Sequence, residues 1–168
     1  KLKESSKNYL LKDDYLLFMD YLWVFGHFVR TLRLKVNKIK FDGVDFSGLV
    51  REELYSFRGV DLAIIGLLNF RFTFRLRQKK VPIRLVVDWF ENQAVDKGWN
   101  AGFRKFYPKS EIIGYQGFVV FPHYLSFYPT EFEHHCGLLP STISVIGKGH
   151  IDQKKEFFSD IDVITAPA

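Results

Sequence analysis

The side chains best suited to chemistry fall in two short clusters. Asp88-Trp89-Phe90-Glu91-Asn92-Gln93 follows the apolar run Ile83 to Val87, and Tyr115-Gln116 closes the run that begins at Ile112-Ile113. A carboxylate beside amides is the equipment for deprotonating a hydroxyl. The base takes the proton, and amides hold the reacting group by donating and accepting hydrogen bonds. Glu91 is the candidate base. On spacing alone, the commoner role for an acid here is a helix cap or first-turn residue stabilised by the helix dipole. Asp88 reads as such a cap, or as the partner of Arg84 or Lys97. Asn92 and Gln93 either read hydroxyls or satisfy the backbone of a turn.

Other groups carry weaker signals. His134-His135-Cys136, with Glu131 and Glu133 beside it, suggests a metal site. Structural zinc sites, however, want ligands two to four residues apart in separate clusters, and no second Cys/His cluster exists. No metal is expected. Nothing in the sequence fixes a base for Cys136 as a nucleophile. Gly147-Lys148-Gly149 lacks the rest of a phosphate loop, and no G-x-G-x-x-G occurs.

Both polar clusters must be positioned by the elements around them. Short apolar runs at Ile83–Val87, Ile112–Tyr115, Ile143–Ile146 and Val163–Ala166 alternate with helical or loop segments. That alternation predicts parallel strands joined by crossovers, with Asp152–Phe158 as a short crossover helix. In such a sheet ligands sit beyond the carboxyl ends of the strands, where both clusters fall. Before residue 81 the period is helical. Tyr15, Leu16, Met19, Leu22, Phe25, Val29 and Leu32 mark a helix over residues 12 to 35, capped by Asp13 or Asp14. Further helices are predicted over about Ser47–Phe57 and Val60–Leu76, with Lys38–Phe46 either a short strand or an ordered loop. Residues 117 to 140 read as a long, partly helical loop. The expected fold is α/β: a Rossmann-like parallel sheet with helices on both faces over residues 81–168, preceded by a helical layer over 1–80, the two forming one domain.

The 168 residues are 47% hydrophobic and 17% aromatic, which excludes a disordered chain. With 18 Phe and 8 Tyr, the core should be rich in rings, some of which could line a groove or interface. The single cysteine fits a reducing cytoplasm, and no signal-peptide pattern or membrane-length apolar run is seen. Net charge is +5. Arg71, Arg75, Arg77, Lys79, Lys80 and Arg84 form an acid-free run with three readings: a solvated helix end, a contact with anionic lipid, or a nucleic-acid patch. No helix-turn-helix, RNP or zinc-finger context supports the last, so no nucleic acid is expected.

The block W-F-E-N-Q (89–93), D-K-G-W-N-A-G-F-R (96–104), Pro108 and I-G-Y-Q (113–116) resembles glycosyltransferases of bacterial surface-carbohydrate (O-antigen and capsule) biosynthesis. The likeness runs from about Arg84 to Ala168, through Pro122, Gly137-Leu138-Leu139-Pro140, Ser144–Gly147 and Asp162–Ala168. It implies the first half of a two-domain GT-B-like enzyme, facing the acceptor, with the donor-binding domain outside these residues. It further implies Glu91 as acceptor-side base, Asn92, Gln93, Tyr115 and Gln116 shaping the cleft, and Trp89 or Trp99 stacking on a sugar. A histidine often follows the glutamine in capsule-type members. Here Gly117 and Phe118 follow, and His123 is the nearest replacement. No cofactor is implied, because such enzymes hold the donor diphosphate with basic groups and helix N-termini. The implied partners are a nucleotide-sugar donor in the intact enzyme and a saccharide or lipid-linked acceptor. Peripheral contact with the inner membrane face would run through Arg71, Arg75, Arg77, Lys79 and Lys80. The runner-up reading is a non-catalytic sugar- or partner-binding module of a polysaccharide assembly complex. A nucleotide-binding or response-regulator-like domain comes third.

Overall fold

The computed structural model describes the backbone of residues 9–121 and 123–166, and the side chains of all of these but 57–59. Pro122, Pro167 and Ala168, which belong to the family-like blocks, lie outside the described residues.

A 3-10 turn, Lys12–Asp14, leads into α1 (Phe18–Phe25) and α2 (His27–Leu32). Helical bonding continues across their junction: the Gly26 N–H donates to Leu22 O at 3.0 Å, and the Arg30 N–H to Gly26 O at 3.1 Å. The cap of α1 is neither Asp13 nor Asp14, which sit in the preceding turn. It is Asp20, whose carboxylate takes the Leu17 N–H at 2.9 Å. The same carboxylate is fully buried and receives Arg71 at 2.6 Å and Arg75 at 2.7 Å. Burial opposes its charge, but Arg75, the Leu17 N–H and Arg71 outweigh that and hold its pKa below the usual value. Two cations of the 71–84 run are therefore committed inward, to fastening α1 against a later helix, and are not free for lipid.

The ambiguous segment is a hairpin, β1 (Lys40–Phe41) with β2 (Val44–Asp45), turned by Asp42 and Gly43 at φ 49° and 80°. Positive φ at both central residues is the demand of a type I′ turn, which Asp-Gly meets. Helix α3 (Ser47–Tyr55) follows, then α4 (Phe57–Gln78), longer at both ends than the periodicity indicates. The Val81 N–H bonds Leu76 O at 3.1 Å and the Lys80 N–H bonds Arg77 O at 3.0 Å, with Lys80 at φ 57°. This closes α4 in a Schellman motif, and Pro82 prevents continuation.

The second half alternates: β3 (Leu85–Trp89), α5 (Ala94–Phe106), β4 (Glu111–Gln116), α6 (Glu131–His135), β5 (Thr142–Val145), α7 (Ile151–Lys154) and β6 (Asp162–Thr165). All four strands are parallel, in the order β3-β4-β5-β6. The fold is α/β with a Rossmann-like sheet behind a helical N-terminal segment. Helix α7 is a single turn, shorter than the crossover expected over Asp152–Phe158. Right-handed crossovers between strands in chain order put α5, α6 and α7 on one face. Val86 and Ile112 there meet Phe103 of α5, Tyr107 just beyond its end, and Phe72 and Leu76 of α4, so the core crosses the position-80 boundary. A second cluster joins Phe90, Leu139, Ile143, Val145 and Ile161. Each fully buried aromatic or aliphatic chain contributes about 1.5–3 kcal/mol. On the other face Leu85, Val87, Trp89 and Ile164 remain exposed, so the expected cover on both faces is not found among the described residues.

Helices α4 and α5 touch backbone to backbone. A Cβ on Gly98 would collide with the carbonyl of Gly66, one on Gly66 with that of Ala94, and one on Gly102 with Thr73. Gly98→Ala should therefore cost more than about 3 kcal/mol, because backbone cannot yield as a side chain can. Gly48→Ala is the control: nothing lies within 4 Å of its Cβ, so the change should be neutral or stabilising by up to about 1 kcal/mol. Urea unfolding of both variants checks the contrast.

Candidate functional site

The carboxyl ends of β3 and β4 are tied by the Phe90 N–H, which donates to Tyr115 O at 2.9 Å. Phe90 itself is completely buried and anchors the tip that carries residues 91–93. Beyond it Asp96, in the first turn of α5, receives the Glu91 N–H at 2.9 Å and the Gln93 N–H at 3.0 Å. Asp96 is thus the acid that caps α5 and folds the tip, a role for which Asp88 was the sequence candidate. Lys97, the other partner offered to Asp88, is paired with Glu133 at 2.6 Å.

Strand alternation splits the sequence-derived candidates into two groups. Trp89 and Tyr115 point to the open face, with ring centroids 5.8 Å apart, and Phe118 lies 5.5 Å from Trp89. Glu91 joins this group. Its carboxylate accepts from Trp89 Nε1 at 2.8 Å and from Gln93 Nε2 at 2.6 Å. A half-buried carboxylate, an exposed amide and three rings therefore share one accessible corner. Gly117 has no room for a Cβ against the Tyr115 ring, which lets the chain turn away there.

Asn92 and Gln116 belong to the other side and are buried. Asn92 adopts φ 57°, a left-handed conformation that asparagine tolerates better than most residues. Its Nδ2 donates to Ser126 O at 3.0 Å and reaches the Glu133 carboxylate at 3.3 Å. It pins the 117–130 loop to the tip. Gln116 is 1% exposed, and neither of its amide atoms has a partner. Asn92 Oδ1 and Asp88 Oδ2 are likewise buried without partners. A cavity of about 450 Å³ opens beside Asn92, between Lys97, Ser126, Tyr128 and Glu133.

The electrostatics of the two sides differ. Burial, with Asp96 nearby, pushes the Asp88 carboxyl up to about 6, against a smaller lowering by the Trp89 N–H. Burial also raises Asp96, while the Gln93 and Glu91 N–H groups oppose the rise. Glu133 is partly buried, yet Lys97 and Thr130 hold it below its ordinary value. Lys154 was not flagged by sequence reasoning. It is buried under the 117–130 loop, donates to Phe127 O at 3.3 Å, and is pushed down by burial to about 8. No spacing signal marks it, because it lies on a single-turn helix.

The remaining candidates are scattered. His123 is exposed on the loop and makes no hydrogen bond to the Glu91 corner. His135 pairs with Glu131 at 3.3 Å, His134 packs on Phe158 at 4.9 Å, and Cys136 is exposed. No grouping of His, Cys, Asp and Glu suited to a metal occurs among the described residues. Much of the family-like block serves architecture. Asn100 donates to Leu138 O at 3.2 Å, and Arg104 donates to Leu139 O at 2.8 Å and Pro140 O at 3.2 Å, holding the Gly-Leu-Leu-Pro turn.

No family model, curated protein or solved structure matches the chain.

Asp88 supplies a test of the site's electrostatics. Its folded pKa, about 6, lies above the ordinary 3.8. Its contribution to stability is therefore fully present below pH 3.8 and is lost as pH rises through about 6. Asp88→Asn removes that loss. After allowance for partial exposure, the variant should be more stable than the parent by about 1–2 kcal/mol at about pH 8, with the gap closing toward about pH 4. Paired melts across that range read the difference. A variant that melts lower at high pH would mean that Asp88 is an ion-pair or capping residue.

Proposed function

We propose that this chain is the acceptor-facing part of a glycosyltransferase that builds bacterial surface polysaccharide. The carrying observation is the open corner at the strand ends, where Glu91 is held between Trp89 Nε1 and Gln93 Nε2 beside three rings. Aromatic faces stack on the C–H faces of sugars, and a carboxylate with an amide reads their hydroxyls. The two donors keep one oxygen of Glu91 engaged each, and both retain further acceptor capacity for an incoming hydroxyl. In the intact enzyme that hydroxyl, deprotonated by Glu91, attacks the anomeric carbon of a nucleotide-activated sugar, and the nucleoside diphosphate departs. Tyr115 supports the Trp89 ring. Asn92 acts from below, by fixing the loop, and Gln116 lies buried beneath the end of β4.

The same corner also supports a second reading, a non-catalytic sugar-binding module, because stacking and hydroxyl recognition need no base. The two differ in what Glu91 does. In the transferase, the donor pocket lies in a further domain, so this chain alone should transfer no sugar and should bind nucleotide sugars more weakly than micromolar in calorimetric titration. Micromolar binding would place the donor site here and overturn the division of labour.

With the donor-binding domain present, Glu91→Gln should lower turnover by roughly two to four orders of magnitude. Folding should change by less than about 1 kcal/mol, since the substitution conserves shape at a half-buried position. Initial rates with saccharide acceptors, alongside thermal melts, measure both. Unchanged turnover with weakened acceptor binding would favour the binding module.

A further inference from the structure

We propose that α1, α2 and the basic segment after them form a docking surface for the headgroup layer of an anionic phospholipid bilayer. This surface stands apart from the Glu91 corner and does not rest on the transferase reading.

The helical stretch from Phe18 to Leu32 is inside out. Its buried positions are one apolar residue, Val24 at 1% exposed, and two polar ones: Asp20 is 0% exposed and paired with Arg71 and Arg75, and Thr31 is 3% exposed and donates to His27 O. Its outward stripe is Phe18, Leu22, Phe25, Val29 and Leu32, spaced three and four apart and 47–73% exposed. Met19, Trp23 and Phe28 widen that stripe, and the Phe25 and Phe28 rings stack at 6.5 Å. Contiguous exposure on this scale marks an interaction surface. A helix of this length spans only about 22 Å, short of a bilayer core. None of the described helices is long and apolar enough to cross a membrane. Lying in the interface with the apolar stripe inserted is the arrangement this geometry suits.

Charge selects the occupant. Residues 21–41 contain Arg30, Arg33, Lys35, Lys38 and Lys40 and no carboxylate, as much positive charge as the net +5 of the whole chain. All five are exposed. Arg30 lies 4.7 Å from the Trp23 ring and donates to Trp23 O at 3.0 Å, so a cation and an indole sit together at the height where headgroups meet acyl chains. Lys38 reaches Asp45 only at 4.0 Å, between two exposed side chains. A second copy of this chain would bring like charge onto like charge, which disfavours a dimer through this face. An anionic membrane supplies both the apolar layer and the opposite charge. The 71–84 run is the poorer candidate, because Arg71 and Arg75 already hold Asp20.

Co-sedimentation with phosphatidylcholine vesicles, with and without about 30% phosphatidylglycerol, is the test. The chain should bind the anionic vesicles at least about tenfold more tightly, and salt should weaken the binding. Phe25→Ser with Leu32→Ser should reduce it by roughly a hundredfold, as should Arg33→Gln, Lys35→Gln and Lys40→Gln combined. Lys79→Gln should leave it unchanged. These are surface positions, and circular dichroism confirms that the variants fold. Brominated acyl chains should quench tryptophan fluorescence in the parent and not in Trp23→Phe. Absence of vesicle binding, binding insensitive to both variant sets, or an equal loss with Lys79→Gln would overturn the proposal. So would a concentration-dependent dimer in sedimentation that Phe25→Ser with Leu32→Ser abolishes.

Discussion

The backbone contact between α4 and α5 is the constraint on which the rest of the structure depends. Gly66 and Gly98 let two helices approach main chain to main chain, and Gly102 makes room for the Thr73 side chain. Gly66 meets the carbonyl of Ala94, the first residue of α5, so the start of that helix is fixed against α4. One residue upstream lies Gln93, and two residues downstream lies Asp96, whose carboxylate gathers the tip amides. The placement of Glu91 thus follows from a glycine on another helix. The same contact aligns Asn100 and Arg104 with the turn they hold, and that turn leads directly into β5. A larger residue at any of the three glycines would move the site and the second half of the sheet together.

The strands were legible because their runs are apolar at consecutive positions, although only β5 is buried on both faces and Leu85, Val87 and Ile164 of the other strands are exposed. The tip was legible as a polar cluster, but alternation across the pleat divided it: Trp89, Glu91 and Tyr115 face outward, while Asn92 and Gln116 are buried. Which acid caps α5 was not legible, since Asp88 and Asp96 both stand near its start and only backbone geometry distinguishes them. Periodicity found the helical stripe of Met19, Leu22, Phe25, Val29 and Leu32 correctly. It says nothing of which way a stripe faces. That depended on Asp20 finding Arg71 and Arg75, fifty residues away in the chain, which no local window contains. The D-K-G-W-N-A-G-F-R block carried much of the likeness to transferases, and much of it is helix packing and turn-holding.

Several buried polar atoms gather around the strand ends. Gln116, Asn92 Oδ1, Asn100 Oδ1 and Asp88 Oδ2 lack partners. Each such atom costs about 1–3 kcal/mol when dry. A concentration of that cost beneath one corner is where local rules of foldability are expected to yield to function. Lys154, buried beside Tyr128 and the Phe127 carbonyl, adds a cation to the same layer and joins the loop to the end of α7.

Strand order equal to chain order has a consequence for how the molecule is made. Strands β4, β5 and β6 each pair with the one synthesised just before. The sheet therefore grows by addition at a single edge, and every closure spans only one crossover. Loop-closure entropy rises slowly with length, so the successive steps carry similar costs and none awaits a distant strand. Helix α4 precedes all of them in the chain and offers Phe72, Leu76 and its glycine face before β3 is complete. Each new strand takes the edge its predecessor left open, while the outer edge of β3 stays unpaired among the described residues.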